Sequence, residues 1–219
     1  MAMTAKIIQL DSARKRSGKP PRITDQEGSA FGKGLSDQTM RELKKRFSKP
    51  ITETEYRNRA IFSVMSQTGM RAKEVVSLKF SNILRSPEDE ILIKYRKKGG
   101  KVAYSLLTEE ILTHVREYHL RFGIKSDWFF HSRPRKNQHI RKPLSKRGLQ
   151  FTIESWGVFT LSGRRIHAHS LRHTIGQKVM EKAGSIAVQK ILNHSSPVIS
   201  SKFYLKPFLS SATEYLNWD

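Results

Sequence analysis

Apolar residues recur at helical spacing over several stretches of this chain. Leu35, Met40, Leu43 and Phe47 form a rough stripe, and Ser36 stands just ahead of it as a candidate N-cap. A helix is therefore expected from near Ser36 through DQTMRELKKRF. Residues 52–68 (TETEYRNRAIFSVMSQT) predict a second helix. Glu53 and Glu55 suit its positive N-terminal end, and Gly69 is its stop. A short helix is expected at 71–78. The period then drops to two: ILIKY and VAYSLL, on either side of RKKGGK, read as a hairpin across a Gly-Gly turn within 91–107. Helical spacing returns at 109–120, ending at Gly123, then at 148–159, 170–183 and 185–192. Ser195-Ser196-Pro197 breaks it. A helix or turn is expected at 198–205 and a terminal helix at 208–217. Trp128, Phe129 and Phe130 are expected in the core. The fold class is mainly α with a small antiparallel β-hairpin or sheet, neither alternating βαβ nor all-β.

Residues 11–34 lack any apolar period and contain Gly, Ser and Pro, so they bury too little surface to offset their ordering entropy. Residues 1–34 are read as a basic N-terminal arm. It is either a disordered leader or an arm that reaches nucleic acid through Arg14, Lys15, Arg16, Lys19 and Arg22. Charge changes the picture further. The 219 residues carry 41 Lys and Arg against 19 Asp and Glu, a formal charge of +22. Such self-repulsion points to a polyanionic partner, nucleic acid first and an anionic membrane surface second. The apolar runs are too short for a transmembrane helix, and the first ten residues lack a signal-peptide pattern. There is no Cys, which excludes disulfide scaffolds, Cys-type zinc fingers and thiol catalysis. A reducing, cytoplasmic setting fits this.

The segment His167-Ala168-His169-Ser170-Leu171-Arg172-His173-Thr174 is the richest in chemistry. On a helix His169 and Arg172 share a face. A guanidinium fork beside an imidazole suits a phosphate, because one grips two oxygens and the other donates or moves a proton. The same histidines have zinc-like spacing, but no carboxylate or Cys completes the set and the nearby arginines oppose a divalent cation. Elsewhere the readings stay open. Arg71 is either functional or a surface residue paired with Glu74 or Glu55. His194 is either functional or a cap after an apolar stretch. Lys94, Lys97, Lys98 and Lys101 are either solvated turn charge or a finger into DNA.

Taken in order, these pieces resemble the tyrosine recombinases, the phage-integrase, Xer and Cre group. The resemblance rests on Thr68-Gly69-Met70-Arg71-Ala72-Lys73-Glu74-Val75-Val76-Ser77-Leu78, on the hairpin Lys98-Gly99-Gly100-Lys101, on His169-Ser170-Leu171-Arg172-His173-Thr174, and on Leu192-Asn193-His194-Ser195-Ser196. It covers about residues 36–210. It implies a catalytic domain over 35–207 that clamps duplex DNA at a specific recombination site. Arg71, Arg172 and His194 would stabilise charge on the phosphate, His169 would take or relay the nucleophile's proton, and Lys98 would protonate the leaving 5′-oxygen. Neither ATP nor metal nor another cofactor is implied. Lys73, Lys97, Lys101, Arg141, Lys146, Arg147, Arg164 and Arg165 would meet DNA phosphates. Strand exchange implies a dimer or tetramer on DNA. Segment 208–219 is either an exchange helix docking on a neighbour or a helix packing on its own domain.

Two positions depart from the family pattern. Asn193 stands where the family has Gly; Asn also tolerates left-handed backbone. The family's nucleophilic Tyr lies nine residues beyond the last His, where this chain has Phe203; Tyr204 is the tenth. Three readings follow: a shifted helix that uses Tyr204, a Tyr-to-Phe form blocked in cleavage, or an inactive relative that only binds DNA. The family's N-terminal core-binding domain is absent from this sequence, as in a trimmed chain or in the small recombinases that invert promoters. A type IB topoisomerase-like relaxation enzyme remains the other rival.

Overall fold

In the computed structural model, residues 32–97, 99–134 and 140–194 are described. Six helices and a three-stranded sheet occupy them. Helix α1 (Asp37–Arg46) starts where expected, with Ser36 Oγ accepting from the Thr39 amide at 3.1 Å. Leu35, Leu43 and Phe47 turn its stripe into the core. Helix α2 (Glu53–Thr68) opens with a reciprocal capping box between Thr52 and Glu55 and closes at Gly69, whose φ is +62°. Only Gly takes that backbone without a side-chain penalty. Ala60, Ile61, Val64 and Met65 are fully buried, making α2 the central helix, packed on α4 and α6.

The expected helix at 71–78 is one turn, α3 (Ala72–Val75), followed by a 3-10 turn at Phe80–Asn82. The expected hairpin is present as β2 (Ile91–Arg96) and β3 (Val102–Leu106). A short strand, β1 (Ile83–Arg85), adds to β2, so the sheet is antiparallel in the order β1-β2-β3. Strand β2 buries Ile91, Ile93 and Tyr95 and points Lys94 and Arg96 outward, the alternation a one-sided sheet requires. Its turn is closed by the Lys97 amide on the Lys101 carbonyl at 2.9 Å, with Gly99 and Gly100 both left-handed.

Helix α4 (Glu109–Arg121) buries Ile111, Leu112, Val115 and Tyr118. Helix α5 (Lys146–Glu154) begins and ends earlier than the expected 148–159. Ser145 caps it, and the left-handed Gly157 turns the chain so that Trp156 enters the core against Phe47 and Phe62. Phe129 and Phe130 are core, as expected, while Trp128 is only partly covered. Helix α6 (Ala168–Leu192) is broken at Gly184, whose φ is +75°. It thus consists of the two stretches that the apolar pattern separates. Residues 32–34, read as the end of the arm, are paired: the Ser162 amide donates to Gly32 O and the Leu161 amide to Gly34 O. The expected elements at 198–205 and 208–217, and the arm through residue 31, lie outside the described residues.

Candidate active site

Helix ends bring the sequence motifs together. Gly69 closes α2 and lies against the end of α6, where an added Cβ would sit 2.5 Å from Leu192 Cδ2. Arg71 follows at the cap of α3. Its amide donates to Glu74 Oε2 at 2.7 Å and its Nη1 to Glu74 Oε1 at 3.1 Å. The pairing with Glu74 is thus real, and Glu74 itself is buried. The Arg71 side chain keeps about a third of its surface open (35%), so it is anchored without being enclosed.

Arg172 stands at the centre. It is 2% exposed. Nη1 donates to the Gly69 carbonyl at 2.7 Å and Nη2 to the Leu192 carbonyl at 2.6 Å. Its rigid fork therefore bridges the last turn of α2 to the last turn of α6. Beyond Leu192, Asn193 adopts φ +53°, the left-handed conformation expected of it. The His194 amide returns to Gln189 O at 3.0 Å. Asn193 Nδ2 donates to Tyr95 Oη, 2.9 Å away on β2.

The histidines form a layered group at the start of α6. His167 is the N-cap, its Nδ1 accepting from the Ser170 amide at 3.2 Å. Its ring stacks on His169 at 6.3 Å, and His173 meets His169 edge-on at 4.6 Å. His169 itself is exposed. Lost hydration, then the charges of Arg172 and Arg71, hold the pKa of His169 and of His194 down to about 4. Burial, with His169 next, takes buried His173 down to about 3. All three rings are therefore neutral near pH 7. A bound phosphate would draw protons toward them.

The positive surface around this centre is uneven. Lys73, Lys146, Arg147, Arg164 and Arg165 are exposed. Arg147 lies over the Phe151 ring at 5.2 Å. Lys97 and Lys101 close the hairpin turn. Arg141 is engaged internally, forked on Glu53 at the start of α2. Lys98, Phe203 and Tyr204 lie outside the described residues. Four residues here, Lys33, Tyr95, Lys79 and Arg96, carry no role in the sequence reading. Lys33, held between two paired glycine carbonyls, adds its charge to the histidines. Tyr95 joins through Asn193. Lys79, Lys94 and Arg96 line a groove of about 550 Å³ beside the sheet, with Lys79 Nζ 4.3 Å over the Trp128 ring. Of the four, only Arg96 was readable: the alternation in β2 turns it outward beside Lys94, which the hairpin reading already names. Among the described residues no three His, Asp or Glu gather as a metal site, and no helix is long and apolar enough to cross a membrane.

Residues 35–208 match the phage integrase family. The tyrosine recombinase XerC of Chromobacterium violaceum is 27% identical over 146 residues, covering 66% of this chain and 46% of that relative. XerC of Bacillus pumilus is 31% identical over 162 residues, covering 71% of this chain and 52% of that relative. The crystal structure of the XerH site-specific recombinase bound to difH substrate, a pre-cleavage complex, aligns at 21% identity with a TM-score of 0.60, over 84% of this chain and 51% of that one. That likeness concerns the fold. The chain spans about half the length of these curated relatives.

Proposed function

The chain belongs to the phage integrase family, and on that premise we propose that it is a site-specific DNA recombinase that cuts and rejoins duplex DNA through a 3′-phosphotyrosine. The observation that carries this reading is the convergence of Arg71, His169, Arg172 and His194 on one site, with Arg172 bridging the two helix ends that present Arg71 and His194.

The chemistry follows from these groups. A tyrosine oxygen attacks the scissile phosphorus, the bond to the 5′-oxygen breaks, and the ester retains the bond energy for rejoining, so no nucleotide cofactor is needed. Negative charge grows on the non-bridging oxygens, where Arg71, Arg172 and His194 supply preorganised donors. His169, neutral and held between two rings, accepts the nucleophile's proton. Lys98 is the proposed acid for the leaving 5′-oxygen. Tyr204 is the proposed nucleophile, with Phe203 at the family spacing marking the blocked alternative. Lys73, Lys97, Lys101, Lys146, Arg147, Arg164 and Arg165 contact phosphates, and productive exchange requires a dimer or tetramer on DNA.

Covalent trapping tests this. The chain, Phe203→Tyr and Tyr204→Phe are each offered a nicked suicide duplex bearing sites from the gene's own neighbourhood. An adduct from the chain that is lost in Tyr204→Phe makes Tyr204 the nucleophile. An adduct only from Phe203→Tyr identifies a blocked recombinase. No adduct from any version on a site all three bind overturns the proposal in favour of a DNA-binding regulator.

A further inference from the structure

The bond between Asn193 and Tyr95 spans the fold. Asn193 closes α6 in the left-handed conformation, directly between Leu192, whose carbonyl Arg172 holds, and His194. Helix ends carry unsatisfied carbonyls and fray unless something ties them. Here the tie is made to a distant strand. Tyr95 is the last buried position of β2, and its ring sits in the core beside Ile93 and Ala103. Two residues further on, Lys97 opens the lysine turn. A hydrogen-bonded chain thus runs from the Gly69 carbonyl through Arg172 to the Leu192 carbonyl, and through the next residue, Asn193, to β2.

From this chain the geometry points to Tyr95 and Asn193 as positioning residues: their bond latches strand β2, which in sequence leads into Lys98, the proposed leaving-group acid, to the turn that presents His194. The chemical consequence rests on the recombinase reading above. The latch itself does not. Tyr95 is not a second nucleophile: burial, with Glu74 next, raises its pKa, so its hydroxyl stays protonated near neutral pH.

Two variants remove the bond and keep the backbone. Tyr95→Phe deletes only the oxygen, and Asn193→Gly keeps the left-handed turn while deleting the amide. Amide hydrogen exchange in the free full-length chain reads the latch. One neutral bond corresponds to about fivefold, so exchange at both the Lys97 and His194 amides rises about fivefold in each variant. The double variant adds nothing, because both changes delete the same bond. Unchanged exchange at either amide, or additive effects, overturns the latch.

Cleavage then reads its purpose, using whichever of the chain or its Phe203→Tyr form makes an adduct. On an ordinary duplex each latch variant cleaves about five- to tenfold more slowly. On a duplex whose scissile 5′-oxygen is replaced by sulfur, the thiolate leaves without protonation, and the defect shrinks to within about twofold. Equal slowing on both substrates overturns the positioning role. If neither form makes an adduct on either substrate, the recombinase reading fails, and the exchange result alone decides the latch.

Discussion

Replacing Arg172 removes two things at once, and the structure separates them. The guanidinium is 2% exposed and donates to two backbone carbonyls, at 2.7 and 2.6 Å. Hydrogen bonds from a charged donor contribute about 1.5–3 kcal/mol each, and a buried acceptor left alone keeps its desolvation cost. Arg172→Ala strips the Gly69 and Leu192 carbonyls together, so it costs about 3–5 kcal/mol of stability. For a domain of this size that lowers Tm by roughly 10 °C. Arg172→Lys keeps the charge, but one ammonium cannot reproduce the fork, so about half of that loss remains. Urea unfolding at pH 7 measures both. A loss below about 1 kcal/mol in Arg172→Ala would refute the bridging role. Gel shift and covalent trapping are then run below both unfolding midpoints. Cleavage falls more than about 100-fold while binding changes little. Equal losses in the two assays would remove Arg172 from the chemistry.

Other consequences are as direct. His173 titrates near 3 in the fold and near 6.5 unfolded, and His169 and His194 near 4, so the folded state binds fewer protons. Their stability contribution is complete above pH 6.5 and is lost as pH falls toward 3; urea midpoints across that range decline less steeply in His173→Phe, and a slope equal to the parent's would contradict it. Gly69→Ala meets both a left-handed backbone and the Leu192 side chain, and lowers stability by about 2 kcal/mol or more by the same unfolding assay; a neutral effect would refute the close approach. If Arg164 and Arg165 each neutralise a phosphate, their joint replacement by Ala lowers the log–log salt slope of DNA binding by about 2; an unchanged slope removes both from the interface.

Much of this molecule is legible in the chain because local chemistry decides it. Ser36, Glu53 with Glu55, and Gly69 mark helix ends by capping, end charge and left-handed geometry, and the Ile91, Ile93, Tyr95 alternation sets the buried face of β2. Gly184 splits α6 where the apolar pattern pauses. Strand β1 escapes detection because it is three residues long with no buried position. The boundaries of α5 move because Trp156 is drawn into an aromatic cluster with Phe47 and Phe62, a tertiary demand no local pattern carries. Within the site, the motif residues are recognisable by type and order. Their supports are not. The carbonyls that Arg172 holds belong to Gly69, 103 positions before it, and to Leu192, 20 positions after it, and Tyr95 reads as one more apolar strand residue until Asn193 reaches its hydroxyl.

The central claim is that Arg71, Arg172 and His194 serve charge on the non-bridging phosphate oxygens. One measurement addresses it directly: trapping by Arg71→Ala, set against the adduct-forming parent, on a suicide duplex whose scissile group is either a phosphate or an uncharged methylphosphonate. The account predicts a loss of about 100-fold or more on the phosphate, shrinking to within about tenfold on the methylphosphonate, where the charge that Arg71 answers is gone. An equal loss on both would contradict it.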